Sequence, residues 1–114
     1  MSGRSGADSA PEEVLTAVAD PLRRQILSAL ARESAMTPTS LAAAFPVTRQ
    51  AVAKHLAVLE RAGLVRSHRS GREVRYETDP EPLRRATLWL DALATQWERR
   101  LDAIKALAEG TDEA

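Results

Sequence analysis

The chain of 114 residues has 16 basic and 16 acidic residues, so its formal net charge at pH 7 is zero, and its length provides for one domain with a modest core. It contains no cysteine, which excludes disulfides, thiolate metal sites and thiol redox switches. Because no stretch approaches the roughly 20 apolar residues of a membrane span and the N-terminus lacks the apolar run of a signal peptide, we expect a cytoplasmic protein without a membrane partner.

The first helix is expected after a Ser/Gly-rich segment, residues 1–10, which we predict to be disordered. Pro11, Glu12 and Glu13 are typical of a first helical turn, where an N–H is dispensable and negative charge is favoured. Three residues give this helix an apolar side, namely Val14, Leu15 and Val18. We predict a single folded domain over 11–109.

A second helix is predicted to begin at Pro21, with Asp20 as its N-cap. Apolar residues at helical spacing predict a buried stripe formed by Leu22, Ile26, Leu27 and Leu30. Arg23 and Arg24 fall outside this stripe, so we expect them on the outer side of the helix.

A short helix and a tight turn come next in the chain. The segment 37–40 offers a cap for a helix over 40–45, whose inward residues would be Leu41, Ala42 and Phe45. Pro46 and Val47 then make the chain turn before an amphipathic helix over 48–64. A short helix, a turn of about three residues and a helix with a cationic face form the helix-turn-helix pattern.

The amphipathic helix has a predicted N-cap at Thr48 and a predicted stop at Gly63. Its core side carries Val52, Leu56 and Leu59, with His55 on the flank, and its opposite side carries Gln50, Lys54, Ala57 and Arg61. A face of amide and cationic groups with hardly any acid suits a groove lined by phosphates and base edges. Taken alone, the segment also fits an ordinary solvated surface helix.

Two alternating segments, 64–69 and 73–78, predict a β-hairpin around Gly71. Its tip carries Arg69, Arg72 and Arg75, and we expect nothing local to neutralise them, which favours contact with a phosphate backbone or a minor groove. Residues 47–76 include seven bases and two acids, a net charge of +5, so the remainder carries −5. A neutral chain with one basic block is expected to have an anion-binding face.

A long helix is predicted over 83–108. Its apolar residues recur at spacings of three, four and seven, and Trp89 lies beside the stripe that they form. A domain of this length has few partners for Trp89 and Trp97, so we predict that a second copy of the chain covers the stripe. The alternative is that the helix covers the core of a monomer.

This order of elements resembles the ArsR/SmtB family of winged-helix transcriptional repressors. The most specific segments are VADPLRRQILSAL over 18–30, TRQAVAKHLAVLERAGLV over 48–65 and RSGREVRYE over 69–77. The resemblance implies a mainly α fold with a small β-hairpin, a winged helix-turn-helix in the order α-α-α-α-β-β-α, which dimerises through its first and last helices. The predicted dimer interface comprises Val14, Leu15, Val18, Leu83, Trp89, Leu90, Leu93, Trp97, Leu101 and Ile104.

The resemblance also implies a set of DNA contacts. From the resemblance they are Thr48, Arg49, Gln50, Ala51 and Lys54 on the recognition helix. The predicted set also includes His55 and Arg61 on the same helix, Thr39 and Ser40 on the preceding helix, and Arg69, Arg72 and Arg75 on the hairpin. Gln50 is expected to read adenine through its amide, and Arg49 to read guanine or contact phosphate. Lys54 and Arg61 are expected to contact phosphate and set position. Ala53 stands where the family often has Ser, so that hydroxyl is missing here.

Many members of this family sense metals, through Cys at the start of the helix-turn-helix or through Asp, His and Glu on the last helix. This chain has no thiol, and its last helix carries Asp91, Glu98 and Asp102 without a His. Carboxylates alone on an exposed helix bind hard cations weakly. The two His residues, His55 and His68, fall in different elements, so we expect neither a metal site nor a cofactor.

We therefore predict a homodimeric, sequence-specific DNA-binding transcriptional regulator, specifically an autoregulatory repressor that binds an inverted repeat in double-stranded DNA. Two alternatives stay open. One is a winged-helix adaptor for protein interactions, which would carry an acidic face; the other is a regulator that senses a small molecule near Trp89 and Trp97. An enzyme is not expected, because the chain has no cysteine nucleophile, no Ser/His/acid set near a pocket and no Gly-rich phosphate loop.

Overall fold

The computed structural model describes residues 10–113, with side chains described up to Gly110, so the predicted disordered tail lies outside the described range except for Ala10. The described elements are α1 (Glu12–Val18), α2 (Pro21–Glu33), α3 (Pro38–Ala44), α4 (Arg49–Arg61), β1 (Val65–Ser70), β2 (Glu73–Thr78) and α5 (Glu81–Glu113). This order confirms the predicted winged helix-turn-helix fold. Within residues 10–113, no helix is long and apolar enough to cross a membrane.

Asp20 sets the start of α2, as predicted. Its carboxylate accepts hydrogen bonds from the backbone N–H groups of Leu22 at 2.8 Å and Arg23 at 3.2 Å, while Pro21 takes the first helical position. The backbone hydrogen bond from Arg23 is the main cause that lowers the pKa of the Asp20 carboxyl below its ordinary value. The cap therefore stabilises the ionised carboxylate and the helix terminus together.

The predicted outer position of Arg23 was wrong, because its guanidinium turns back over the end of α1. Nε donates to the carbonyl oxygen of Ala17 at 2.7 Å, and Nη2 donates to that of Thr16 at 3.1 Å. The last carbonyls of a helix have no intrahelical partner and carry the negative end of its dipole, so they attract a cation. Arg24 is exposed as predicted and donates to the carbonyl of Val18 at 2.6 Å.

Two Thr caps define the helix-turn-helix. The hydroxyl oxygen of Thr37 accepts from the N–H of Ser40 at 3.1 Å, and that of Thr48 accepts from the N–H of Ala51 at 3.0 Å. The first of these helices, α3, begins at Pro38 rather than at the predicted residue 40, because proline tolerates the first helical turn. Thr48 confirms the predicted start of the recognition helix α4.

The end of α4 is a Schellman turn around Gly63, whose φ of +79° lies in the left-handed region. The Gly63 N–H donates to the Glu60 carbonyl, and the Leu64 N–H donates to the Leu59 carbonyl, each at 2.9 Å. Leu64 is buried, so this turn fixes the angle at which the chain leaves α4 for the hairpin. The predicted stop is confirmed.

The predicted hairpin around Gly71 is confirmed and has a two-residue turn, with Ser70 paired to Glu73 and Gly71 at a φ of +66° in the first central position. This is where a type II′ turn requires glycine. The sequence did not indicate one further contact, in which Met36 exchanges backbone hydrogen bonds of 3.1 and 2.8 Å with Tyr76. This bridge fixes the hairpin against the segment that precedes α3.

The core joins all the helices to the base of the hairpin. Its largest fully buried side chains are Ile26, Leu30, Leu41, Val52, Leu56, Leu59, Leu64 and Val65. The predicted core face of α4 is confirmed by Val52, Leu56 and Leu59, whereas on the predicted face of α3 Leu41 is buried and Ala42 and Phe45 are half-buried. On α2 the predicted stripe is only partly buried, since Leu22 and Leu27 lie half-buried at the margin of this core.

Helix α5 exceeds the predicted 83–108 at both ends, with 33 residues over Glu81–Glu113. At 1.5 Å per residue it is about 50 Å long. The carboxylate of Asp79 accepts from the Glu81 N–H at 3.1 Å, and the helix therefore starts at Glu81, ahead of the predicted residue 83. Glycine weakens a helix interior but does not forbid it, so the helix continues through Gly110.

Candidate nucleic-acid interface

Helix α4 presents an exposed face that contains no acid. Gln50, Lys54, Ala57 and Arg61 lie on this face at helical spacing, and each is exposed. The opposite side is held in the core by Val52, Leu56 and Leu59, whose side chains are at most 1% exposed. Burial on one side therefore fixes the orientation of the amide and the two cations on the other.

The N-terminal end of this face is joined to α3. Arg49 Nη1 donates to Thr39 Oγ1 at 3.3 Å, and the Thr37 hydroxyl donates to Ser40 Oγ at 3.0 Å. Thr39, Ser40, Thr48 and Arg49 are exposed, whereas Ala51 is half-buried. The structure therefore brings the predicted contacts of α3 and α4 together around the start of the recognition helix.

Glu60 is the acid of α4, and its carboxylate is directed toward the hairpin. Ser67 Oγ donates to Glu60 Oε2 at 3.0 Å. Burial raises the pKa of the Tyr76 phenol, and the nearby charge of Glu60 raises it further. The Glu60 carboxylate thus forms a contact between α4 and β1 and lies away from the face formed by Gln50, Lys54 and Arg61.

The three arginines predicted at the hairpin tip are not equivalent. Arg75 forms an ion pair with Glu73 at 2.9 Å, so the expectation that nothing local neutralises it was wrong. The error arose because residues two apart on a strand share a face and their side chains can meet. Among the described residues, no acidic group lies within 4.0 Å of the guanidinium of Arg69 or Arg72.

The register also separates these arginines in space. Arg69 pairs with Val74 and Arg75 pairs with His68, and adjacent pairs along a hairpin alternate between its two faces. Arg72 occupies the exposed turn. Of these three arginines, Arg72 is thus unpaired at the tip and Arg69 is unpaired on the face that carries Val74.

His55 lies on the flank of α4, half-buried, where it meets α2. Arg23 Nη1 is 3.3 Å from His55 Nδ1, and the Arg23 guanidinium also lies 3.7 Å from the Asp20 carboxylate. Helix α2 therefore contacts the recognition helix through a polar side chain as well as through the core. The sequence placed His55 correctly on the flank but did not indicate its partner.

His68 lies on the hairpin, with Nδ1 3.9 Å from a Glu77 carboxylate oxygen. His55 and His68 therefore have different neighbours. Within the described residues, no group of three or more His, Cys, Asp or Glu side chains is arranged to hold a metal ion.

The apolar stripe of α5 is buried only at its beginning. Ala86 packs into the core, and Trp89 and Leu93 are half-buried. Elsewhere on the same face, Trp97 is 65% exposed and Leu101 is 66% exposed, with Leu83 before Ala86 and Leu90 and Ile104 after it also exposed. Much of the predicted dimer interface is thus apolar surface that is exposed on a single chain. Val14, by contrast, is buried in the core of the chain.

A groove of about 700 Å³ lies beside this stripe, between the start of α1 and the first turns of α5. Val14 and Trp89 line it, together with the side chains of Pro11, Leu88 and Ala92. The apolar face of the chain is therefore concave where α1 meets α5.

Comparison with known proteins agrees with this geometry. The family described as "Helix-turn-helix domain" matches residues 18–68. The HTH-type transcriptional regulator Rv2034 of Mycobacterium tuberculosis is 36% identical over 90% of this chain and 94% of its own length. The HTH-type transcriptional repressor SmtB of the same organism is 41% identical over 81% of this chain and 64% of its own length. An ArsR-like transcriptional regulator from Rhodococcus sp. RHA1 superposes with a TM-score of 0.80 at 39% identity, covering 91% of this chain and 97% of that structure.

Proposed function

The chain belongs to the ArsR/SmtB family of winged helix-turn-helix transcriptional regulators, and from this membership we propose that it binds an inverted repeat in double-stranded DNA as a homodimer. It is a DNA-binding transcriptional regulator, and the proposed action is repression, including that of its own gene. The observation that carries the proposal is the acid-free outer face of α4, flanked by the unpaired arginines of the hairpin.

The proposed DNA contacts divide by chemistry. The Gln50 amide can accept from and donate to adenine in the major groove, and Arg49 can read guanine or contact phosphate. Lys54 and Arg61 lie on the same exposed face and suit phosphate contacts, which set position without reading sequence. Arg69 and Arg72 would extend these phosphate contacts along the duplex, whereas Arg75 is paired with Glu73.

The remaining predicted contacts surround this set. The exposed hydroxyls of Thr39, Ser40 and Thr48 suit neutral phosphate contacts near the start of α4. Ala51 is half-buried and can offer at most a small apolar contact, such as one to a thymine methyl.

The proposed dimer forms through α1 and α5. Trp97, Leu101 and Ile104 form an apolar surface that solvent alone covers in one chain, and contiguous exposed apolar surface favours association. A twofold axis between two copies would place two α4 helices on the same side of the dimer. Two such helices enter successive major grooves when the half-sites lie about 34 Å apart, one turn of DNA.

We propose regulation without a metal ion. The chain has no thiolate donor, and the Nδ1 atoms of its two His residues face Arg23 and Glu77 in different elements. Carboxylates such as Asp91 and Asp102 remain on α5 but would bind a hard cation only weakly without further donors. The proposal predicts that zinc or cadmium ions leave the affinity for DNA unchanged.

Gel shift with the DNA upstream of the chain's own gene tests the proposal. We expect retardation by the dimer that survives excess random duplex. Retardation that random duplex abolishes would contradict sequence-specific binding. The absence of any retardation at low salt would instead favour the protein-interaction adaptor.

A further inference from the structure

The guanidinium of Arg23 lies where three helices meet. It donates from Nε and Nη2 to the terminal carbonyls of α1, and its Nη1 lies 3.3 Å from His55 Nδ1 on α4. The side chain of Arg23 is only 15% exposed, so this arrangement is largely shielded from solvent. One side chain therefore joins the end of α1, the start of α2 and the recognition helix.

The chemistry of the guanidinium determines which role His55 Nδ1 can play in this contact. Arg carries five N–H donors and no acceptor, so a hydrogen bond with an imidazole nitrogen requires that nitrogen to accept. The contact from Arg23 Nη1 is therefore a hydrogen bond only if His55 Nδ1 accepts, and in a neutral ring this places the proton on Nε2. A hydrogen bond at one ring nitrogen commonly fixes the state of the other in this way.

The second ring nitrogen of His55 is open to solvent. Among the described residues, Nε2 has no hydrogen-bond partner, and no buried side-chain nitrogen or oxygen atom lacks one. Nε2 is thus exposed rather than enclosed. It provides an N–H donor one residue after Lys54, on the flank of the exposed face of α4.

We propose that Arg23 is a positioning residue for DNA binding, which holds His55 as the neutral Nε2–H tautomer so that this N–H donates to a phosphate oxygen. The inference rests on the proposed function, because it assigns a contact to the same interface. Phosphate oxygens accept hydrogen bonds from neutral side chains as well as from cations, and such contacts fix register on the duplex. Arg23 itself does not need to touch DNA.

Arg24 provides a matched control for Arg23. It is the same residue type at the next position, and it also donates to a carbonyl at the end of α1, that of Val18. Arg24 is exposed, and no contact with His55 is found for it among the described residues. Arg23→Met and Arg24→Met therefore both remove hydrogen bonds to the carbonyl oxygens at the end of α1, but only Arg23→Met removes the partner of His55.

The tautomer is measured by ¹⁵N NMR of the imidazole nitrogens at a pH where both His rings are neutral. We expect His55 to be entirely Nε2–H in the wild type and in Arg24→Met, and to gain Nδ1–H population in Arg23→Met. His68 is the internal control and should not change, because it lies on the hairpin. A protonated Nδ1 on His55 in the wild type, or identical His55 spectra in all three proteins, would overturn the proposal.

Binding is measured with the duplex that the wild type selects from a random pool. We expect Arg23→Met to weaken binding about tenfold, as the loss of one aligned hydrogen bond would, and Arg24→Met to weaken it less than about twofold. In a His55→Ala background, Arg23→Met should have almost no further effect. An equal loss in both backgrounds would show that Arg23 acts only through the fold and would overturn the proposal.

Two further measurements separate the outcomes. Arg23→Lys keeps a donor for His55, but a lysine cannot span all three acceptors. The affinity of Arg23→Lys for DNA should therefore lie between those of the wild type and Arg23→Met. If Arg23→Met does not fold, Arg23→Lys is used in its place. If the wild type selects no duplex, the proposed function and the phosphate contact both fail. The NMR spectra would then still decide whether Arg23 fixes the His55 tautomer.

Discussion

Ser67 on β1 donates a 3.0 Å hydrogen bond to the carboxylate of Glu60, near the end of the recognition helix. The contact joins α4 to the hairpin, the two elements proposed to contact DNA. It also directs the carboxylate of Glu60 away from the exposed face of Gln50, Lys54 and Arg61. A helix that is proposed to approach phosphates can therefore carry one acidic residue, because its negative charge lies away from the face that would contact them.

Glu60→Gln should lower the pKa of the Tyr76 phenol. The negative charge of Glu60 disfavours the phenolate and so raises this pKa, and the substitution removes that charge. Burial, the larger cause, remains, so the value should fall but stay above the ordinary value of 10.0. Ultraviolet titration reports Tyr76 directly because it is the chain's single tyrosine. Glu77→Gln is the control and should leave the pKa unchanged, although Glu77 is adjacent in sequence.

Gln50→Ala should relax base preference at one position in each half-site. A bidentate contact with adenine discriminates against other bases by about 1 to 3 kcal/mol, and alanine cannot make it. Binding to random DNA should change little, since phosphate contacts dominate there. Competition between selected and random duplexes measures both effects. Equal losses on the two DNAs would show that Gln50 does not read sequence.

Arg72→Ala should weaken binding to all sequences and reduce the slope of log affinity against log salt by about one per monomer. Arg75→Ala is a matched control on the same hairpin, and its effect should be smaller because Glu73 already pairs with Arg75. Affinity measured across a salt series distinguishes the two. A larger loss of affinity or of salt slope for Arg75→Ala than for Arg72→Ala would contradict the proposal that Arg72 is the unpaired cation that contacts phosphate.

Leu101→Glu should convert the dimer to a monomer. It places a charge within the exposed apolar stripe of α5, where association would bury that charge, so the dimer dissociation constant should rise at least about 100-fold. Ala106→Glu adds the same charge on the opposite face of α5 and should leave the dimer intact. Sedimentation at micromolar concentration measures both. A wild-type monomer at this concentration would contradict the proposed role of α5.

Gly63→Ala should lower the free energy of unfolding by about 1 kcal/mol, because its φ of +79° is unfavourable for a residue with a Cβ. Gly110→Ala is the contrast, since Gly110 is helical with open space around it and alanine should be neutral or stabilise by up to about 0.5 kcal/mol. Urea unfolding measures both. Equal effects of the two substitutions on the free energy of unfolding would show that the left-handed conformation of Gly63 does not require glycine.

Local signals in the sequence predicted the helix-turn-helix accurately. Asp20, Thr37 and Thr48 each accept from backbone N–H groups within three residues, so the residue type and its position suffice to recognise a cap. The stripe of Val52, Leu56 and Leu59 likewise follows from a spacing of three and four. These features need no knowledge of the rest of the chain.

The errors concern polar side chains whose partners are distant or ambiguous. Arg23 was expected on the outer side of α2, yet it contacts His55, which is 32 positions away in the chain, and no local sequence pattern indicates such a contact. Arg75 was expected to be unneutralised, although Glu73 lies only two residues away, because a strand presents both on one face. Met36 shows no periodic signal, and its bridge to Tyr76 appears only once the hairpin folds back.

The most direct test of the central claim is selection of bound duplexes from a random pool by the wild-type protein. We predict that an inverted repeat is enriched, with half-site centres about 10 base pairs apart, as two α4 helices on one side of a dimer require. Recovery of duplexes with no shared sequence would contradict sequence-specific binding. Enrichment of a single half-site without symmetry would contradict the dimer.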